Sequence, residues 1–341
     1  MASSPSSNKG PGRPYARIAV VGAGAWGTAL AIVAAANVPK VLLWAREAAV
    51  LQDLARSREN RLFLPGVSVP EAVHVISDLT RAGEADAVLL AAPAQHARAV
   101  LAQLRPGLKP GTPVLLCAKG VETGTGLLLT EVLQEVMPEA EPGILSGPSF
   151  ARDVARGLPT AVTIAARGPV ARRFQASLAH SAFRPYASKD LVGVALGGAA
   201  KNVYAIACGM VEGADFGESA RAAAMSRGFA ELMRLGAALG ARAETLMGLS
   251  GLGDLVLTAT SMSSRNFSLG AALGRGSPLA ALSGEARPLA EGAATAPALV
   301  ARARRHGVEL PIAEAVAAVL EGKLGVREAA MGLLSRPLTS E

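Results

Sequence analysis

Apolar residues in the N-terminal half of the chain come in short runs, at 18–21, 40–44, 73–76, 87–92, 114–118, 144–146 and 161–165. Runs this short, bounded by glycine, proline or polar residues, predict buried strands. Between them, positions 28–36, 45–57, 96–104 and 127–136 repeat their apolar residues at helical spacing. Strands alternating with helices at this pitch predict an α/β fold with a parallel, doubly wound sheet. From about residue 191 the strand pattern stops. Ala/Leu/Gly-rich helical sequence runs on from there, punctuated by glycine at 240, 248, 251, 253 and 270. The expected organisation is a disordered Ser/Pro/Gly-rich tail at 1–16, a sheet domain at 17–190 and an all-α C-terminal domain at 191–341, with a flexible loop near 274–285.

The first strand runs directly into Gly22, Ala23, Gly24, Ala25, Trp26 and Gly27, and a small-residue helix follows. A G-x-G-x-x-G turn between a strand and a helix is the dinucleotide-binding fingerprint of a Rossmann-type domain. Gly22 permits the tight turn, Gly24 leaves no Cβ in front of a pyrophosphate, and Gly27 lets the helix pack close. The helix start aims free N–H groups and partial positive charge at the phosphates. The turns after three later strands, at Pro93, at Lys119 and Gly120, and at Gly147, Pro148 and Ser149, lie beyond carboxyl strand ends and are expected to line the same crevice.

Half of the 341 residues are hydrophobic, which is ample for two cores, and the formal charge is +7. The basic residues are scattered and do not interleave with aromatics, so no nucleic-acid surface is expected. Cys117 and Cys208 lack metal or CxxC spacing and read as reduced thiols of a cytoplasmic protein. His74, His96, His180 and His306 are dispersed, so no metal site is expected. The N-terminus lacks the apolar segment of a secretory signal. No run reaches the roughly 18 uninterrupted apolar residues of a spanning helix, so a soluble chain without stable membrane insertion is expected.

Lys119 is the one charge that its strand offers to the crevice, as a site lysine or as a solvated strand cap. Lys201 has small and apolar residues around it for two helical turns on each side. Burial would lower its pKa toward the range useful for proton transfer, whereas a snorkelling side chain would reach water. Its neighbour Asn202 suits a substrate hydroxyl or the helix itself. Asp254 stands in a neutral Gly/Leu setting and needs a cationic or N–H partner; it suits a helix cap, a group that orients the lysine, or both at once. Ser263, Ser264, Arg265 and Asn266 open another helix, where hydroxyls, a guanidinium and a carboxamide form a phosphate site or a plain serine cap.

Taken together, the segments GAGAWGTALA, CAKGVE, LSGPSFARDVARGLPTA, GGAAKNVYAIACGM and GLSGLGDLVLTATSMSSRN resemble the bacterial NAD(P)-dependent glycerol-3-phosphate dehydrogenase family in order and spacing, over about residues 17–335. The resemblance implies hydride transfer between NAD(P)H and dihydroxyacetone phosphate to give sn-glycerol 3-phosphate, a phospholipid precursor. It implies Lys201 as proton donor or acceptor, and Lys119, Gly147, Ser149, Asp254, Ser264, Arg265 and Asn266 around the substrate. Ala25, Trp26, Arg46, Ala151, Glu291 and again Lys119 and Arg265 would serve the cofactor. Arg46 just past the second strand suits a 2′-phosphate and Glu47 a ribose hydroxyl, so NADP(H) is expected to be preferred with NAD(H) tolerated. Another hydroxyacid dehydrogenase, or a non-catalytic NADP-binding sensor, stays open as an alternative. The apolar helical domain suits a homodimer.

Overall fold

Four apolar residues follow Arg17 in β1 (Arg17–Val21), and all four are buried, as suits a strand covered on both faces. The computed structural model describes residues 12–282 and 290–337. After β1 come α1 (Ala25–Ala34), β2 (Lys40–Trp44), α2 (Ala48–Ser57), a hairpin of β3 (Glu59–Asn60) and β4 (Leu64–Ser68), and β5 (Val73–Ile76). The chain continues through β6 (Ala87–Leu90), α3 (Ala97–Leu104), β7 (Pro113–Leu116), α4 (Leu129–Val136) and β8 (Glu141–Ser146). It closes the sheet with α5 (Ala151–Ala155), β9 (Thr160–Ala166), α6 (Val170–Leu178) and β10 (Phe183–Ser188).

The strands lie in the order β5, β2, β1, β6, β7, β8, β9, β10, and the order reverses between β1 and β6. A ligand crevice belongs at that switch point, beyond the carboxyl ends. The sheet is not wholly parallel, because β9 runs antiparallel to β8. The cause is the connection: five-residue α5 is about 7.5 Å long, whereas six-residue β8 spans about 20 Å. The helix is too short to carry the chain back to the far edge. At the rim, β10 alternates buried Phe183 and Pro185 with exposed Arg184 and Tyr186. An edge strand tolerates the proline there.

The expected tail is ordered at its end. Tyr15 is buried, its ring 5.1 Å from that of Phe174 and under the guanidinium of Arg173, and its N–H donates to Ser177 Oγ at 3.0 Å. An aromatic anchor on α6 thus fixes residues 12–16 to the sheet domain. Residues 1–11 of that tail, and 283–285 of the loop expected to be flexible, lie outside the described residues.

The second half comprises α7 (Leu191–Gly213), α8 (Glu218–Ala238), α9 (Ala243–Met247), α10 (Asp254–Ala259), α11 (Arg265–Gly274), α12 (Glu291–Arg305), α13 (Pro311–Leu320) and α14 (Val326–Leu334). Asp190 caps α7 by accepting the Gly193 N–H at 2.8 Å. α7 is long and apolar enough to cross a membrane, yet 89% of its most apolar window is buried inside the protein, so it is the core helix of this half. Glycines hold it against α11. A Cβ at Gly209 would sit 2.1 Å from the Phe267 carbonyl oxygen, and one at Gly213 would sit 2.0 Å from that of Ala271. From the other side, a Cβ at Gly270 or Gly274 would sit 2.1 or 2.4 Å from the carbonyl oxygen of Ile206 or Met210. Two i,i+4 glycine pairs therefore face each other, and the helices touch backbone to backbone.

Candidate active site

The glycine-rich turn has the shape its sequence predicts. Gly22 has a φ of +109°, which L side chains rarely adopt, and a Cβ there would meet the Ala92 nitrogen at 2.9 Å. A Cβ at Gly27 would lie 1.8 Å from the Gly22 oxygen, whereas one at Gly24 meets nothing within 4 Å. The turn is thus closed on its inner side and open where a pyrophosphate would lie. No side chain caps the first N–H groups of α1, which leaves them for an anion. These residues fit a dinucleotide.

Around the turn, Ala25 is the first residue of α1 and Ala151 the first of α5, two helices that pack on each other. The Trp26 indole N–H donates to the Cys117 carbonyl at 3.1 Å, tying α1 to the end of β7. Arg46 lies past β2 as expected, but its exposed guanidinium pairs with Glu47 at 3.0 Å, so the two groups proposed for the ribose end neutralise each other. An exposed pair of this kind is worth about 0–1 kcal/mol and yields easily to a phosphate dianion.

The polar centre lies where the sheet meets α7 and α10. Lys119 stands three residues beyond β7, and its Nζ donates to the Gly147 carbonyl at 2.9 Å and to Asp254 Oδ2 at 2.6 Å. Lys201, 7% exposed, places its Nζ 3.0 Å from Asp254 Oδ1 and donates to Thr258 Oγ1 at 2.7 Å. The Thr258 hydroxyl in turn donates to Asp254 Oδ1 at 3.2 Å. The lysine does not snorkel. Asp254 does not use its side chain as a cap: it is the first residue of α10, delivered by the π-turn Leu249–Gly253, and its carboxylate serves both lysines.

Burial pushes the Lys201 ammonium down to about 8, helped by the charge of Lys119 and opposed by Asp254. For Asp254, burial acts to raise the carboxyl, but Lys119 and Lys201 outweigh it and hold the group below the usual carboxylate range. The centre therefore contains an ionised carboxylate and a lysine that can exchange a proton near neutral pH. An ammonium has three hydrogens. Each lysine commits two of them here and keeps one for a ligand.

Asn202 and Asn266 do something other than face a ligand alone. Asn202 Nδ2 donates to the Lys119 carbonyl at 2.9 Å, and its Oδ1 accepts from Asn266 Nδ2 at 2.8 Å. Asn266 Oδ1 accepts the Gly292 N–H at 3.0 Å, and next to it Glu291 Oε1 accepts the Ala94 N–H at 3.0 Å. One chain of bonds thus joins the end of β7, the starts of α11 and α12 and the turn after β6. Ser149 Oγ donates to the Gly147 carbonyl at 2.9 Å, the same oxygen that Lys119 uses. Ser264 caps α11 by accepting the Phe267 N–H at 3.2 Å, while Arg265 next to it is exposed.

The structure brings Lys119, Gly147, Ser149, Lys201, Asn202, Asp254, Asn266 and Glu291 into one bonded constellation, and leaves Arg46, Ser264 and Arg265 outside those bonds. Sequence reasoning missed two members: Thr258, and Ser146, whose Oγ lies 3.5 Å from Asp254 Oδ2. Thr258 had a signal, since it sits four residues after Asp254 on one helical face. Ser146 had none.

A family model described as the N-terminus of NAD-dependent glycerol-3-phosphate dehydrogenase matches residues 17–171, and the corresponding C-terminal model matches 190–331. A relative from Parvibaculum lavamentivorans, named glycerol-3-phosphate dehydrogenase [NAD(P)+], is 58% identical over 96% of this chain and 98% of its own length. One of the same name from Rhodospirillum rubrum is 55% identical over 95% of this chain and 93% of its own. The crystal structure of glycerol-3-phosphate dehydrogenase from Coxiella burnetii superposes with a TM-score of 0.88 at 34% identity, covering 95% of this chain and all of that one.

Proposed function

Given that the chain belongs to the NAD-dependent glycerol-3-phosphate dehydrogenase family, we propose that Lys201 exchanges the proton in the interconversion of dihydroxyacetone phosphate and sn-glycerol 3-phosphate. The protein is an NAD(P)-dependent oxidoreductase acting on that pair. The bound nicotinamide supplies the hydride. The Gly22–Gly27 turn and the start of α1 hold its pyrophosphate, with Trp26, Ala151 and Glu291 around it. As negative charge grows on the substrate oxygen, the third hydrogen of Lys201 transfers to it, and Lys119 stabilises the charge from the sheet side. Asp254 and Thr258 hold the Lys201 amine in line, and Asp254 keeps Lys119 beside it. Ser264, Arg265 and Asn266 receive the phosphate at the start of α11.

The observation that carries this reading is a buried lysine bonded to a carboxylate and a hydroxyl and titrating at about 8. It is tested by following NADPH absorbance with dihydroxyacetone phosphate and with unphosphorylated dihydroxyacetone, in the wild type and in Arg265→Ala. A charge-assisted fork is worth ~1.5–3 kcal/mol per bond, so Arg265→Ala raises KM for the phosphorylated substrate at least about tenfold and leaves activity on the other nearly unchanged. Equal losses on both would remove Arg265 from phosphate recognition. NADPH affinity is measured in the same variant, because Arg265 also faces the cofactor in this reading.

NADPH is the preferred cofactor in this reading, and a larger kcat/KM for NADH would overturn that. The reaction is placed in the cytoplasm, feeding glycerophospholipid synthesis. A second copy of the chain is placed on the groove between α8, α13 and α14, where Met331 and Leu334 are 64% and 85% exposed. Light scattering of the purified chain at twice its 34.5 kDa supports the homodimer, and a monomer mass refutes it.

A further inference from the structure

Asn60 ends β3, in a hairpin that the dinucleotide turn does not need for its own pairing, yet the residue is wholly buried. Its amide nitrogen donates one hydrogen to the Ala23 carbonyl at 2.8 Å and the other to Thr28 Oγ1 at 2.8 Å. Its Oδ1 accepts the N–H of Phe63, in the turn of the hairpin, at 3.2 Å, which orients the amide with its NH₂ toward the glycine turn. Ala23 is the residue between Gly22 and Gly24, and 37 positions separate it from Asn60. The hairpin therefore brings a satisfied, immobile amide to the middle of the glycine turn from a distant part of the chain.

The peptide joining Ala23 to Gly24 is trans, and in a trans peptide the carbonyl and the following N–H point in opposite directions. Capturing the Ala23 oxygen on the hairpin side consequently turns the Gly24 N–H away from the hairpin. It also removes a carbonyl oxygen from the vicinity of the phosphates, which that oxygen would repel. We propose that Asn60 is a positioning residue for the cofactor: it locks the Ala23–Gly24 peptide in the orientation that presents an N–H, and not a C=O, to the pyrophosphate. The role rests on the reading of this turn as the dinucleotide site.

The test is calorimetric titration of the purified full-length chain with NADPH, with ADP-ribose, which carries the pyrophosphate without the nicotinamide, and with 2′-AMP, which lacks the pyrophosphate. Asn60→Asp keeps the shape but replaces both donors by an oxygen facing the Ala23 carbonyl. The dissociation constants for NADPH and ADP-ribose are expected to rise at least about tenfold, and that for 2′-AMP to change less than about twofold. In steady-state kinetics KM for NADPH rises in parallel, while KM for dihydroxyacetone phosphate and kcat at saturating NADPH hold. Unchanged ADP-ribose affinity overturns the proposal. So does an equal loss for 2′-AMP, which would make Asn60 a general support of the domain. If Asn60→Asp does not fold, Asn60→Ala and Thr28→Val, which remove the contacts without adding charge, carry the same comparison. Failure of the wild type itself to bind ADP-ribose would count against the cofactor reading of the turn and leave Asn60 without its role.

Discussion

Asp254 gives one oxygen to each of two lysines, at 2.6 Å to Lys119 and 3.0 Å to Lys201. Burial and attraction compete at Lys201, and burial prevails, because the ammonium comes down to about 8 despite the carboxylate. The sign of the pH dependence follows. Reduction needs the ammonium, so kcat/KM with NADPH is flat below about pH 8 and falls about tenfold per unit above it; oxidation needs the free amine and rises toward that same pH. Asp254→Asn removes the group that opposes burial and moves both profiles to lower pH, with a stability loss of about 3–5 kcal/mol for stranding buried charge. Lys201→Ala lowers kcat at least about a hundredfold while NADPH titrates normally. A profile unmoved by Asp254→Asn would show that another group titrates. Lys201 and Asp254 were legible in the sequence because each is a charge in an apolar run, which physics does not tolerate without a partner. That Asp254 orients Lys201 was one of the roles the sequence offered; that the same carboxylate also holds Lys119 was not legible, since 135 positions separate them, and Thr258 and Ser146 are ordinary hydroxyl residues until the fold places them.

Most strands and helices with a strong apolar period were legible, although α6, which buries Ala171, Phe174 and Leu178 on one face, was not read as a helix; the other failures share a cause. β10 carries arginine, proline and tyrosine because it is an edge, α5 is too short for a period, and the β3–β4 hairpin is short, broken by Pro65 and Gly66, and mostly exposed. None of them buries enough apolar surface to mark the sequence. The glycines of α7 and α11 mark it in another way: their i,i+4 pairs permit the contact that sets Asn202 on one helix against Asn266 on the other. Gly209→Ala puts a methyl 2.1 Å from the Phe267 carbonyl oxygen. Backbone cannot yield as a side chain tip does, so overpacking is expected to cost about 1–3 kcal/mol. Because α11 must move, KM for dihydroxyacetone phosphate rises as well. The pairing of the two readouts, thermal melting and KM, is what separates this from a remote defect. Gly217→Ala, at a turn where a Cβ meets nothing but φ is +89°, lowers the melting temperature without changing KM.

Across the whole molecule the two halves share one core. Val88 and Leu116 of the sheet belong to the same buried cluster as Val203, Leu255 and Leu299 of the helical half. Polar bonds clamp the same junction through α12. Its start holds Ala94 through Glu291, and its far end holds α4 through a fork from Arg302 to Glu131 at 2.7 and 2.8 Å, with a third bond of 2.9 Å to the Gly126 carbonyl. Lys119 and Gly126 lie in the same loop between β7 and α4, so the clamp bears on the lysine as well as on stability. The two partners differ in exposure, 9% for the arginine side chain and 39% for the glutamate. Removing one is therefore not equivalent to removing the other. Glu131→Ala strands a buried guanidinium and is expected to cost about 3 kcal/mol or more, whereas Arg302→Met leaves a carboxylate that water reaches and costs about 1–2 kcal/mol. Urea unfolding followed by circular dichroism and by tryptophan fluorescence measures both. Trp26 and Trp44 report the sheet half, so with a shared core the two signals coincide in one transition for the wild type and both variants. Separate transitions, or a cost for Arg302→Met equal to that for Glu131→Ala, would mean that the halves fold apart and that the fork is a surface contact between them.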